Sequence, residues 1–241
     1  MSVRLFAITF GAQDPSHEAD FWSAVLDRPV GPDDRGGVQL PVTNAGQPLI
    51  RFVPRAEPKT TPNRGHFDLT SSSHADQGLT VARALDAGGR RIDIGQGADA
   101  EHTVMADPED NEFCVIPPGN NFLAGTGTIG CLACDGSQAV GYFWSRALQW
   151  PLVWDQEQET AIQAPSGGSK ISWGGEPIEP QTGYNRVHLD LAVRSEAELA
   201  DAATQLTSLG ATRWAGPVCR GAVGFADPDG TEFCVLVAPS V

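Results

Sequence analysis

Asn63-Arg64-Gly65-His66-Phe67-Asp68-Leu69 decides the fold, because it returns as Asn185-Arg186-Val187-His188-Leu189-Asp190-Leu191, 122 residues further on. Outward from it, Asp107-Pro108-Glu109-Asp110-Asn111-Glu112-Phe113-Cys114-Val115 returns as Asp227-Pro228-Asp229-Gly230-Thr231-Glu232-Phe233-Cys234-Val235 at a spacing of 120. Phe21-Trp22 returns as Phe143-Trp144 at 122. Three motifs repeated in one order at nearly one offset mark a duplicated domain. Solenoid units run to only about 20–50 residues, so each copy is domain-sized. The sequence divides into a first domain over 1–119, a linker over 120–127 and a second domain over 128–241.

The 241 residues suit two domains, each able to bury a core. An apolar fraction of 41% fits a globular chain, and no apolar run approaches the roughly 18 residues of a membrane span. No basic-then-apolar leader opens the sequence, so a cytoplasmic location is expected. The net charge of −14, without a basic cluster, argues against a nucleic-acid partner. Five cysteines, an odd count, argue against a disulfide framework. Cys131 and Cys134 lie three apart on an expected strand and so face opposite sides.

The order of elements repeats as well. A strand over about 3–11 is followed by Asp14-Pro15, a cap and first-turn proline, and by a helix to about Asp27. Short strands follow around 37–42 and 48–53. The second quarter repeats the plan, with a strand at 64–70, a helix capped by Ser73, and strands near 90–94, 102–106 and 112–116. In the second half the clearest helix starts at Ser195, with Glu198 completing a capping box. The result is four strand–helix–strand–strand–strand modules, an α+β chain.

Strand alternation assigns the faces. His66 and Asp68 point one way, Phe67 and Leu69 the other; Glu112 and Cys114 share a face, Phe113 and Val115 the opposite one. His188, Asp190, Glu232 and Cys234 repeat the arrangement. Helices must cover the apolar faces, so the polar residues line the concave sides, where such a cluster suits acid–base or metal chemistry. A repeated His–Asp pair also has a purely structural reading, and Asp107-Pro108 and Asp227-Pro228 read as turn formers.

The four modules, the Phe-Trp pair, the His-x-Asp-Leu strand and the Asp-Pro-x-x-x-Glu-Phe-Cys-Val ending resemble the vicinal oxygen chelate superfamily. That superfamily includes glyoxalase I, extradiol dioxygenases and bleomycin-resistance proteins, and both halves look closest to its glyoxalase-like domains. The resemblance implies two tandem domains, each of two βαβββ modules forming a curled mixed sheet around a cavity. It also implies a divalent ion held by four ligand positions. Those positions fall near Ala7, Arg51, His66 and Cys114 in the first half, and near Thr128, Ser172, His188 and Cys234 in the second. One standard ligand of four remains in each half, so no metal ligands are assigned and no cofactor is expected, with a divalent metal held by His, Glu and Cys as the alternative.

The resulting expectation is a glyoxalase-like protein acting on a small metabolite, as a lyase, isomerase or dioxygenase. The alternative is a metal-free binding protein like the drug-sequestering members. The candidate catalytic residues are His66, His188, Glu112 and Glu232. Arg51, Asp68, Cys114, Ser172, Trp173, Asp190 and Cys234 are the candidate ligand-binding residues. In the first cavity Arg51 is expected to hold a ligand carboxylate or to pair with Glu112. In the second, Ser172 and Trp173 are expected to favour an uncharged or cationic aromatic. A small-molecule partner and a monomer or homodimer complete the expectation.

Overall fold

The computed structural model describes residues 3–97, 100–178, 183–216 and 220–238. Four modules follow one another as expected. The first is β1 (Arg4–Ala12), α1 (Pro15–Leu26), β2 (Gly31–Asp33), β3 (Gly37–Leu40) and β4 (Ile50–Pro54). The second is β5 (Gly65–Leu69), α2 (His74–Asp86), β6 (Arg90–Arg91), β7 (Thr103–Ala106) and β8 (Glu112–Val115). The third is β9 (Ile129–Cys134), α3 (Gln138–Leu148), β10 (Leu152–Gln156), β11 (Glu159–Gln163) and β12 (Lys170–Trp173). The fourth is β13 (Val187–Val193), α4 (Glu196–Ser208), β14 (Thr212–Arg213), β15 (Ala222–Ala226) and β16 (Glu232–Val237).

Local chemistry starts each helix. The Asp14 carboxylate accepts from the Ser16 and His17 amides, with Pro15 in the first turn, and α1 closes at Asp27 in the left-handed region (φ 52°). Ser73 caps α2 through the Asp76 amide, and Ser195 caps α4 through the Glu198 amide. Glu198 reaches back one residue further than a capping box requires, to the Arg194 amide at 2.9 Å.

The fold class is the expected one: two eight-stranded mixed sheets and four helices built from a duplicated unit. The partnering of modules differs from the expectation. One sheet runs β14-β15-β16-β13-β1-β4-β3-β2 and the other β10-β11-β12-β9-β5-β8-β7-β6. Each sheet therefore joins one module from each half, the first with the fourth and the second with the third. The seams are antiparallel, β1 on β13 and β5 on β9. A duplicated unit has the same edge chemistry in both copies, so its first strand meets an equivalent edge in the other half as readily as in its own.

The apolar faces of both sheets share one core with the helices. Phe10 of β1 lies 5.5 Å from Phe67 of β5, and Trp22 of α1 fits against both, at 5.6 and 5.4 Å between ring centroids. Trp22 donates its indole N–H to Asp107, and Trp144 repeats the bond to Asp227 at 3.1 Å. The Asp-Pro motif is thus more than a turn. Asp107 also accepts from the Glu109 and Asn111 amides, so one buried carboxylate ties a turn to the helix tryptophan.

Candidate functional site

β1 stands between β13 and β4, and the register sets Thr9 opposite both His188 and Arg51. On the far side of β13, Asp190 pairs with Cys234 of β16. Asp190 is fully buried and accepts from Thr9 Oγ1 at 2.7 Å and from Arg51 Nη1 at 2.6 Å. Its other oxygen lies 3.3 Å from His188 Nε2. Arg51, itself 1% exposed, also grips the Asp33 carboxylate of β2 through Nε at 3.0 Å and Nη2 at 2.6 Å. Burial alone would raise the Asp190 carboxyl, but bonds from His188 and Thr9 and the Arg51 charge hold it below the ordinary carboxylate range.

The second sheet carries the related cluster of His66, Asp68 and Cys114, whose donor atoms all lie within 4.8 Å of one another, as do those of His188, Asp190 and Cys234. His66 Nε2 stands 3.5 Å from Asp68. Burial pulls the His66 imidazole down, yet hydrogen bonds to Asp68 and Cys114 prevail and push it up to about 10. Beside it Cys131 contacts Ser172 Oγ at 3.2 Å, and burial pushes the Cys131 thiol up to about 12. That thiol is inert rather than nucleophilic.

Alternation thus brought the right His, Asp and Cys together in both halves, and the cross-half sheets redistributed their neighbours. Arg51 joins His188 and Asp190, not Glu112. Glu112 pairs with Lys59 and accepts from the Asn63 amide, while Glu232 accepts from the Asn185 amide and side chain. Both glutamates secure the segments entering β5 and β13, and Glu232 also borders the cavity beside His188. Ser172 lies beside Cys131 in the His66 sheet, away from His188. Register makes Ser172 the counterpart of Arg51, since Ser172 pairs with Ala133 opposite His66 as Arg51 pairs with Thr9 opposite His188. The Lys170 ammonium turns aside, onto the Phe122 carbonyl and over its ring. Trp173 is a core residue, 3% exposed and stacked on Trp144 at 6.4 Å, because one step along β12 reverses the face. Ala7 is wholly buried, and exposed Thr128 precedes β9; Thr9 and Ala133 are the residues set opposite His188 and His66.

A cavity of about 490 Å³ opens over His188, a size suited to a small organic ligand. His188, Cys234 and Glu232 form its floor with Arg51, and Tyr184 and Trp214 form one wall in edge-to-face contact at 5.7 Å. Sequence reasoning missed Thr9, Asp33, Arg35, Tyr184 and Trp214. Thr9 left a signal, as the one hydroxyl in the run from Leu5 to Ala12. The others had none, since each comes from a short strand or loop.

Four βαβββ modules in two mixed sheets are the architecture of the vicinal oxygen chelate class. The sequence pattern described as "Glyoxalase-like domain" matches residues 7–116 and 130–236. The chain belongs to that family, present twice. Among solved structures it resembles glyoxalase I from Zea mays, with a TM-score of 0.65 over 98% of this chain and 92% of that one, at 12% identity. A putative dioxygenase from Bacillus subtilis subsp. subtilis str. 168 gives 0.62 over 99% and 86%, at 16% identity. At such identities the likeness carries the fold alone. No curated protein matches the chain. Among the described residues no helix is long and apolar enough to cross a membrane.

The family's divalent ion can be tested against the donors present. At His188 one of the family's four ligand positions is taken by Arg51, whose guanidinium has no lone pair to offer a cation and already binds one oxygen of Asp190. That site does not fit a metal. Elemental analysis of protein purified without chelators is expected to show no stoichiometric transition metal dependent on His188. A metal lost on His188→Ala would overturn this expectation.

Proposed function

We propose that this chain acts on a small molecule in the His188 cavity by metal-independent proton transfer, as an isomerase or lyase does. The observation that carries the reading is the chain Arg51–Asp190–His188, in which a built-in cation occupies the place of a metal. Asp190 accepts a hydrogen bond from His188 Nε2, leaving Nδ1 as the ring's acceptor. When His188 takes a proton from a carbon acid, the buried Asp190 carboxylate stabilises the imidazolium. Thr9 and Arg51 keep that carboxylate in place. Cys131, Lys170 and Ser172 give the His66 cluster different surroundings, so one ligand is expected to saturate one site per chain.

The test begins with a metabolite screen for thermal stabilisation, in which a ligand at 100 times its Kd adds about 2.7 kcal/mol. Any stabilising compound is then assayed for turnover. His188→Gln is expected to lower turnover about 10²–10⁴-fold, His66→Gln to leave it within about threefold, and a chelator to leave it unchanged. Turnover retained by His188→Gln would refute the reading, as would two equal sites lost only when both histidines are replaced. The Tyr184–Trp214 wall also favours simple sequestration; in that case ligands bind one per chain and no compound is turned over.

A further inference from the structure

The charges around the His188 cavity do not cancel. Arg51 is matched by Asp33 and Asp190. Arg55 stands 3.9 Å from Glu57, donates to the Asn185 carbonyl and lies over the Tyr184 ring. Two further lining guanidiniums differ. Arg35, in the turn between β2 and β3, donates to the Val237 carbonyl, and among the described residues no carboxylate pairs with it. Arg220 is exposed, and it too has no carboxylate partner among the described residues. Both face the same cavity, and Arg35 reaches the backbone next to Arg220, its Nη1 4.0 Å from where a Cβ would sit on Gly221.

A chain with a net charge of −14 has many carboxylates, so two unmatched arginines lining one cavity are out of keeping with its surface. Two guanidiniums lining one cavity without carboxylate partners are free to make charge-assisted bonds to one ligand anion. The wall beside them is aromatic and the floor is His188. A ligand meeting all three has an anionic group at one end, a flat apolar body, and a polar end on the imidazole.

We propose that Arg35 and Arg220 form an anion-recognition pair for the ligand of the His188 cavity, which is a planar or aromatic compound bearing a carboxylate or phosphate. This rests on the preceding assignment of the His188 cavity as the working site, and it reverses the expectation of an uncharged or cationic ligand there. Arg51, locked between two aspartates, is not the anion's partner.

The test uses benzoate, phenyl phosphate, benzyl alcohol and benzylamine as probes, titrated by calorimetry and ligand-observed NMR into the full chain. Benzoate or phenyl phosphate is expected to bind at one site per chain at least tenfold more tightly than benzyl alcohol, with benzylamine weakest. The tighter of the two anions identifies the source of the charge. Raising the salt should erode the preference. Arg220→Gln, at an exposed position, should retain the fold and lose most of it; Arg35→Gln/Arg220→Gln should abolish it while benzyl alcohol binds as before. Equal binding of anionic and neutral probes, or a preference that survives in the double variant, would overturn the pair while leaving the cavity assignment standing. If no probe binds, or binding is indifferent to His188→Gln, both proposals fall.

Discussion

Arg51→Met is expected to cost about 3–5 kcal/mol of stability, the range for breaking a buried ion network by removing one partner. The methionine fills much of the arginine's volume, so the loss is mainly electrostatic. Asp190, with no exposed surface, and Asp33, nearly as buried, both lose their cation. Asp190 would keep only Thr9 and His188. Adding Asp190→Asn should restore part of the loss, because the orphaned charge is then gone. The pH dependence has a definite sign. The folded Asp190 carboxyl is held below its ordinary value, about 3.9, so its contribution is fully present above that value and is lost as pH falls through the folded one. The gap between wild type and Arg51→Met should therefore be widest near neutrality and close in acid. Urea unfolding from pH 3 to pH 8 measures it. A variant within about 1 kcal/mol of wild type at pH 7 would show that Asp190 is not held by Arg51.

The grouping of His, Asp and Cys was legible in the sequence, and the reason is periodicity. Alternation along His66–Leu69 and Glu112–Val115 puts His, Asp and Cys on one face wherever those strands pair, and they pair in parallel register. The duplication then repeated the result at Val187–Leu191 and Glu232–Val235. Which half supplies the partner sheet was not legible, because copies of one unit present equivalent edges. That single ambiguity misplaced Arg51 beside Glu112 and Ser172 beside His188. Trp173 failed differently, since alternation already separated it from Ser172 and its ring belongs with Trp144 in the core. Asp33 and Arg35 were illegible because a three-residue strand and its turn carry no periodic signal.

Glu18→Val is expected to stabilise the protein by about 1–3 kcal/mol at pH 7, although Glu18 is wholly buried and hydrogen bonded. The second half provides the precedent, because Val140 occupies the corresponding turn of α3, buried ahead of Trp144, where Asp227 alone receives the indole N–H. In the first half Trp22 is shared between Glu18 and Asp107 at 3.2 Å each, and Glu18 Oε2 meets no donor. Burial raises the Glu18 carboxyl first, the neighbouring Asp107 and Glu109 charges raise it further, and Trp22 opposes them weakly. The two carboxyls are best accommodated with one proton between them. A folded value above the ordinary glutamate value, about 4.3, means that its contribution to stability is fully present below that pH and is lost as pH rises. Wild type should therefore weaken from pH 5 to pH 8 relative to Glu18→Val, at up to about 1.4 kcal/mol per pH unit. Trp22 keeps its Asp107 bond in the variant, so the helix anchor survives. Thermal and urea unfolding at both pH values decide the matter. A variant less stable than wild type at pH 8, or a gap equal at the two, would mean that the Glu18 bonds to Trp22 and Asn111 outweigh the cost of burying its charge.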